Sequence, residues 1–176
     1  MTKLYDVYCD YDGVLVDFKQ GMIQIYGKEY YPPYMPDAVW KASKEFEMLR
    51  KETNALWWEN LPPMPDYHEL WGFLKPYRPQ ILTAYAMWSP EGTSRSIEGK
   101  RLWNEKWTKV SDYDLHIVHK NAKAQFAIAE VSYEPNVLID DSMDNINAWT
   151  AAGGVAIHHK SAKETIERLK ELGYGN

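Results

Sequence analysis

Short apolar runs recur along this chain with helical segments between them, and that alternation restricts the folds open to it. The runs cover residues 5–10, 80–83, 115–119, 137–140 and 155–157. Each is brief and apolar, as strands buried on both faces of a parallel sheet are. Between them, Asp66 is placed to cap a helix over Leu70, Phe73 and Leu74 that stops near Pro76. Ser161 and Glu164 read as a capping box for a last helix whose Ile166, Leu169 and Leu172 share one face. The expected fold class is α/β, a parallel sheet with helices on both faces.

Residues 19–65 break the alternation. A Tyr/Pro-rich stretch, Tyr30-Tyr31-Pro32-Pro33-Tyr34, leads to Asp37 as a helix cap. Val39, Ala42, Phe46 and Leu49 then recur at helical spacing, and Trp57-Trp58 precede a Pro-rich return, Leu61-Pro62-Pro63-Met64-Pro65. The expected organisation is a core of residues 1–18 and 66–176 with a small α-helical cap inserted at 19–65.

A chain of 176 residues can bury a substantial core. No apolar stretch approaches the ~20 residues that span a bilayer, and the N-terminus shows no signal-peptide apolar region. Cys9 is the single cysteine, which excludes an intrachain disulfide and suits a reducing, cytoplasmic setting. Its place inside a strand favours a buried structural thiol. The formal charge is -5 with no basic stripe, which argues against a partner of long nucleic acid. The 8 Trp and 13 Tyr fill a core first, but flat side chains also suit stacking on a base.

The first strand ends in Asp10-Tyr11-Asp12-Gly13-Val14. Open α/β sheets place their ligands at the carboxyl ends of strands. Two like charges this close are costly unless a cation lies between them or a proton is shared. Gly13 lets the chain turn there without a Cβ clash. An Asp-rich turn with no function reads equally well from these five residues alone.

The longer segment Asp10 to Phe18 resembles the first motif of the haloacid dehalogenase-like phosphatase superfamily. Three later segments are similar to that superfamily's other motifs, in order: Pro79-Gln80-Ile81-Leu82-Thr83, Lys123 at a helix start, and Val137-Leu138-Ile139-Asp140-Asp141-Ser142. Within the superfamily the chain looks most like the 5'(3')-deoxyribonucleotidase branch. Asp12 to Phe18, the Pro-rich end of the insert, Ile139-Asp140-Asp141 and the segment from Gly99 to Trp107 carry that likeness. The branch often has Thr-Ser at its second motif, whereas this chain has Thr83-Ala84.

The resemblance implies a Rossmann-like core, a cap, a Mg²⁺ cofactor and hydrolysis of phosphate monoesters through an aspartyl-phosphate. It assigns Asp10 as nucleophile and Asp12 as the acid that protonates the leaving oxygen. Asp141, the side chain of Asp10 and the backbone carbonyl of Asp12 are the implied metal ligands, with Asp140 as the alternative within the acid pair. The Thr83 hydroxyl and the Ala84 amide would bond phosphoryl oxygens. Lys123 is the chosen phosphate cation over Lys120, with Asn121 as its helix cap. Asn145 is either a hydrogen-bond partner of the acids or an ordinary helix-surface residue.

Phe18 matches an aromatic that stacks on the base in the resembling enzymes; a core role is equally open. His158-His159 resemble a metal pair, but adjacent strand residues point to opposite faces. The expected substrate is a nucleoside monophosphate. A sugar phosphate, a nucleic-acid end, or a non-catalytic binding role on the same fold are the rivals.

Overall fold

The computed structural model describes residues 5–27, 39 and 41–175. The expected Tyr/Pro-rich stretch and the Asp37 cap lie outside the described residues. The chain divides into two compact units.

The first unit holds Met1–Val16, Pro63–Ala84 and Val110–Asn176. Its strands are β1 (Val7–Cys9), β2 (Gln80–Ala84), β3 (Leu115–Val118), β4 (Val137–Asp140) and β5 (Val155–His158). They form one sheet in the order β3-β2-β1-β4-β5. Every pairing is parallel, so the sequence alternation produces the α/β fold it predicts. The register aligns Cys9 with Ile81 on one side and Ile139 on the other.

One sheet face carries Tyr8, Leu82 and Leu138, packed against Ala127 and Trp149 of the covering segments. On the other, Tyr67 lies close enough to Cys9 for the two to interact electrostatically. Tyr67 belongs to helix Tyr67–Leu74, which packs against helix Ala162–Glu171.

Asp66 stands at the N-terminus of that first helix but makes no side-chain cap bond to it. Its Oδ2 instead accepts from the Ala162 amide at 2.6 Å, capping the neighbouring helix. Ser161 Oγ accepts from the Glu164 amide at 3.3 Å, as the capping-box pattern predicts.

The second unit holds Asp17–Pro62 and Tyr85–Lys109. Its helices include, among the described residues, Phe18–Tyr26, Lys44–Glu52, Ala55–Glu59 and Pro90–Lys106. Residues 85–109, which the sequence reading placed in the core, thus cluster with the insert. Helix Pro90–Lys106 packs on helix Ala55–Glu59, and Gly99 makes the approach possible: a Cβ there would lie 2.2 Å from Trp58 Cβ. The buried Trp103 donates its Nε1 hydrogen to Leu61 O at 3.0 Å.

Val39 and Lys41 are helical, as the spacing predicts. The chain then turns at Ala42, and Ser43 caps a separate helix, Lys44–Glu52, by accepting from the Phe46 amide at 3.1 Å. Phe46 and Leu49 are buried as expected, whereas Val39 and Ala42 are exposed.

Candidate active site

The carboxyl ends of β1 and β4 bring three acids together. Asp10 extends the strand pairing, its amide donating to Ile139 O at 2.9 Å. Oxygens of Asp10, Asp140 and Asp141 all lie within 4.8 Å of one another. Such a cluster is unfavourable without positive charge, and Lys123 supplies it. Lys123 Nζ lies 2.9 Å from Asp10 Oδ2 and 2.7 Å from Asp140 Oδ2, and all three side chains are buried. Burial alone would lower the Lys123 pKa, but Asp10 and Asp140 outweigh it and hold the ammonium firmly protonated.

Lys120, by contrast, is exposed. It lines, with Asn121, Ser142, Asp144 and Asn145, a cavity of about 210 Å³ beside Lys123. Lys123 sits in the 3-10 helix Lys120–Phe126, whose cap is His119 rather than the expected Asn121. His119 Nδ1 accepts from the Asn121 amide at 3.1 Å. A histidine nitrogen before a short helix does here what an Asn side chain was expected to do.

The two adjacent acids have different surroundings. Asp140 is fully buried, and its oxygens accept from Lys123, from the Ser142 amide at 2.9 Å, and from Asn145 Nδ2 at 3.0 and 3.1 Å. Asn145 is therefore joined to the acid cluster. Asp141 is exposed and makes no such set of bonds. Partial loss of water around the carboxyl where it lies against the Gly13 loop, then Asp10, Asp140 and Asp12, push it up to about 7.

Its backbone is fixed by a residue that sequence reading did not connect to the site. His158 Nε2 lies 3.0 Å from Asp141 O, and a carbonyl only accepts, so the imidazole donates. His159 turns elsewhere, with Nδ1 at 2.9 Å from Thr165 Oγ1, so the two histidines do not share a ligand. No sequence signal connects His158 to Asp141; the β4–β5 register, pairing Asp140 with His158, creates the contact.

Residues 11–16 form a tight loop, with the Val16 amide donating to Tyr11 O at 2.8 Å and the Gly13 amide to Val16 O at 2.9 Å. Asp12 is part of this loop and bridges to Val16. Gly13 has φ +79, in the region that favours glycine. A Cβ at Gly13 would come 2.1 Å from Asp141 Oδ2, so the bare backbone is what lets that carboxylate lie against the loop.

Thr83 is buried and Ala84 half-buried at the end of β2, the strand beside β1. Cys9 is buried, and burial followed by Asp10 and Asp140 raises its thiol pKa well above the ordinary value. It is a structural thiol.

Phe18 belongs to the second unit and starts helix Phe18–Tyr26, which Asp17 caps through the Gln20 amide at 2.9 Å. Its ring stacks on Trp58 at 5.6 Å between centroids and meets Trp57 edge-on at 5.8 Å. Trp58 stacks in turn on Trp88, with Lys100 Nζ 5.2 Å from its ring centroid.

The donor set fits a hard divalent cation. Asp10 also has donors, the Tyr11 amide at 2.8 Å from Oδ1 and Lys123 at Oδ2. Asp10, Asp140 and Asp141 together are therefore the group that could hold an ion, with Asp141 its exposed member. The cradle at Gly13 and the raised pKa of Asp141 both mark a place where positive charge is needed.

No protein-family model matches the sequence, and no curated protein matches it. Solved structures do. A HAD-family hydrolase from Deinococcus radiodurans, with bound phosphate and sodium, aligns over 99% of this chain and 90% of its own at 15% identity, with a TM-score of 0.57. A hydrolase from Streptococcus pneumoniae aligns over 97% of this chain and 100% of its own at 13% identity, with a TM-score of 0.52. The chain therefore shares the parallel α/β fold of these two solved structures.

Proposed function

We propose that this protein is a Mg²⁺-dependent phosphatase of the haloacid dehalogenase type, acting on nucleoside monophosphates as a 5'(3')-deoxyribonucleotidase. The observation that carries the reaction class is the buried Asp10–Lys123–Asp140 network with Asp141 beside it. A carboxylate is held at a strand end by one lysine while a second acid, Asp12, follows two residues later. The fold likeness to a hydrolase crystallised with phosphate supports the same reading.

In this mechanism an Asp10 carboxylate oxygen attacks phosphorus and the bond from phosphorus to the ester oxygen breaks. Asp12 gives its proton to the departing alkoxide. Water then attacks the aspartyl-phosphate, Asp12 takes back a proton, and Asp10 and inorganic phosphate are released. Lys123, 2.9 Å from Asp10 Oδ2, orients that carboxylate, and the Thr83 hydroxyl and Ala84 amide hold phosphoryl oxygens. Mg²⁺ held by Asp10, Asp141 and the Asp12 carbonyl would shield the phosphate charge. Asn145 and the Ser142 amide hold Asp140, which in turn orients Lys123.

The nucleotide assignment rests on the deoxyribonucleotidase-like motifs and on Phe18 as base contact. Purified protein assayed against nucleoside monophosphates, sugar phosphates and a 3'-phosphorylated oligonucleotide, with and without Mg²⁺, tests it. Metal-dependent release, greatest from the nucleotides, is expected. Preference for a sugar phosphate would retain the chemistry and overturn the substrate.

A further inference from the structure

The first unit holds a second cavity, of about 440 Å³, within the size range of small-molecule sites. Its lining is aromatic and acidic: Tyr8, His116 and Phe126 supply rings, and Asp6 and Glu130 supply carboxylates. The rings form a cluster, with centroids 5.9 Å apart for Tyr8 and His116, 5.7 Å for Tyr8 and Phe126, and 4.9 Å for His116 and Phe126.

Among the described residues that line this cavity there is no lysine or arginine. The acids are close enough to matter. After burial, Asp6 is the largest influence raising the Tyr8 hydroxyl pKa, with Glu130 and Asp114 acting in the same direction. His116 does not offset them, because burial lowers its pKa; Nε2 lies 2.7 Å from Gln80 Oε1.

A lining that combines carboxylates of one sign with aromatic rings attracts cations twice, through the carboxylate field and through the ring quadrupoles. Two carboxylates beside rings do not make the oxygen shell that Mg²⁺ or Ca²⁺ requires. We propose that this cavity binds a small organic cation with an apolar body, of the alkyl- or quaternary-ammonium class. The charge lies between the rings and the Asp6 and Glu130 carboxylates. The site is separate from the acid cluster and does not depend on the phosphatase reading.

Choline and its uncharged carbon isostere, 3,3-dimethylbutan-1-ol, share a shape and differ in charge, which makes them the probes. Each is titrated into the full chain, followed by calorimetry and by amide shifts of residues around Tyr8, His116 and Phe126. Choline is expected to saturate there and to bind roughly two- to thirty-fold more tightly than the isostere, the range of cation–π strength. Glu130→Gln, an exposed position, should weaken choline and leave the isostere unchanged. No saturable choline response at these residues, equal binding of the two probes, or indifference to Glu130→Gln would overturn the proposal.

Discussion

Asp141 offers a test in which stability and metal response move in opposite directions. Its carboxylate lies within 4.8 Å of Asp10 and Asp140 oxygens, a separation at which one like-charge pair repels by about 3.5 kcal/mol at an effective dielectric of 20. Lys123 neutralises part of that charge. Asp141 is exposed, so solvent screening reduces the net penalty to about 1 kcal/mol. The sign follows from its carboxyl standing at about 7 in the fold against 3.8 ordinarily. A raised carboxylate favours folding below the lower value and opposes it progressively as pH rises through the upper one.

Asp141→Asn removes that penalty. Without metal, near pH 8, the variant should melt about 2–4 °C above wild type, and the gap should close toward pH 4. Added Mg²⁺ should raise the wild-type Tm at pH 8 and leave the variant nearly unchanged, because a ligand is gone. Differential scanning calorimetry at both pH values, with and without Mg²⁺, reads this directly. A variant less stable than wild type at pH 8 without metal, or an equal Mg²⁺ response in both, would refute the reasoning.

Lys123→Met breaks a buried ion pair on both sides and should cost about 3–5 kcal/mol by urea unfolding, with phosphatase activity lost. Gly13→Ala forces a Cβ into the Asp141 carboxylate at a positive-φ position, so about 1–2 kcal/mol should be lost. A Mg²⁺ titration of the same variant should require more metal for half-maximal activity. Phe18→Ala should raise KM for nucleotides roughly five- to a hundred-fold, the range of base stacking, and barely change it for a phosphate lacking a base. Equal loss on both substrates would assign Phe18 to packing with Trp57 and Trp58.

The strands were legible because each is a short apolar run, and buried parallel strands leave that signature whatever covers them. All five observed strands fall within a residue or two of the expected ranges. The acids were legible because strand ends and paired carboxylates are read locally. What could not be read were contacts made by register and packing. His158 reaches Asp141 because β4 and β5 pair in one register, and Asp66 caps a helix nearly a hundred residues away. The break between helical Val39 and Lys41 and helix Lys44–Glu52 falls at Ala42 and Ser43, a cap that the even periodicity of Val39, Ala42, Phe46 and Leu49 conceals. Residues 85–109 joined the second unit through Gly99 and Trp103, whose partners lie in the insert.

The central claim is that Asp10 forms a covalent phosphoryl intermediate, and its trapping is the most direct measurement. Protein mixed with a nucleoside monophosphate and Mg²⁺ is quenched during turnover and treated with borohydride, which reduces an aspartyl-phosphate to homoserine. Peptide mass spectrometry then locates the modified residue. The account predicts homoserine at position 10 in the wild type, and none when Asp10→Asn or the metal-free protein is used. Steady phosphate release with position 10 unmodified, or homoserine at Asp12 or Asp141 instead, would contradict it.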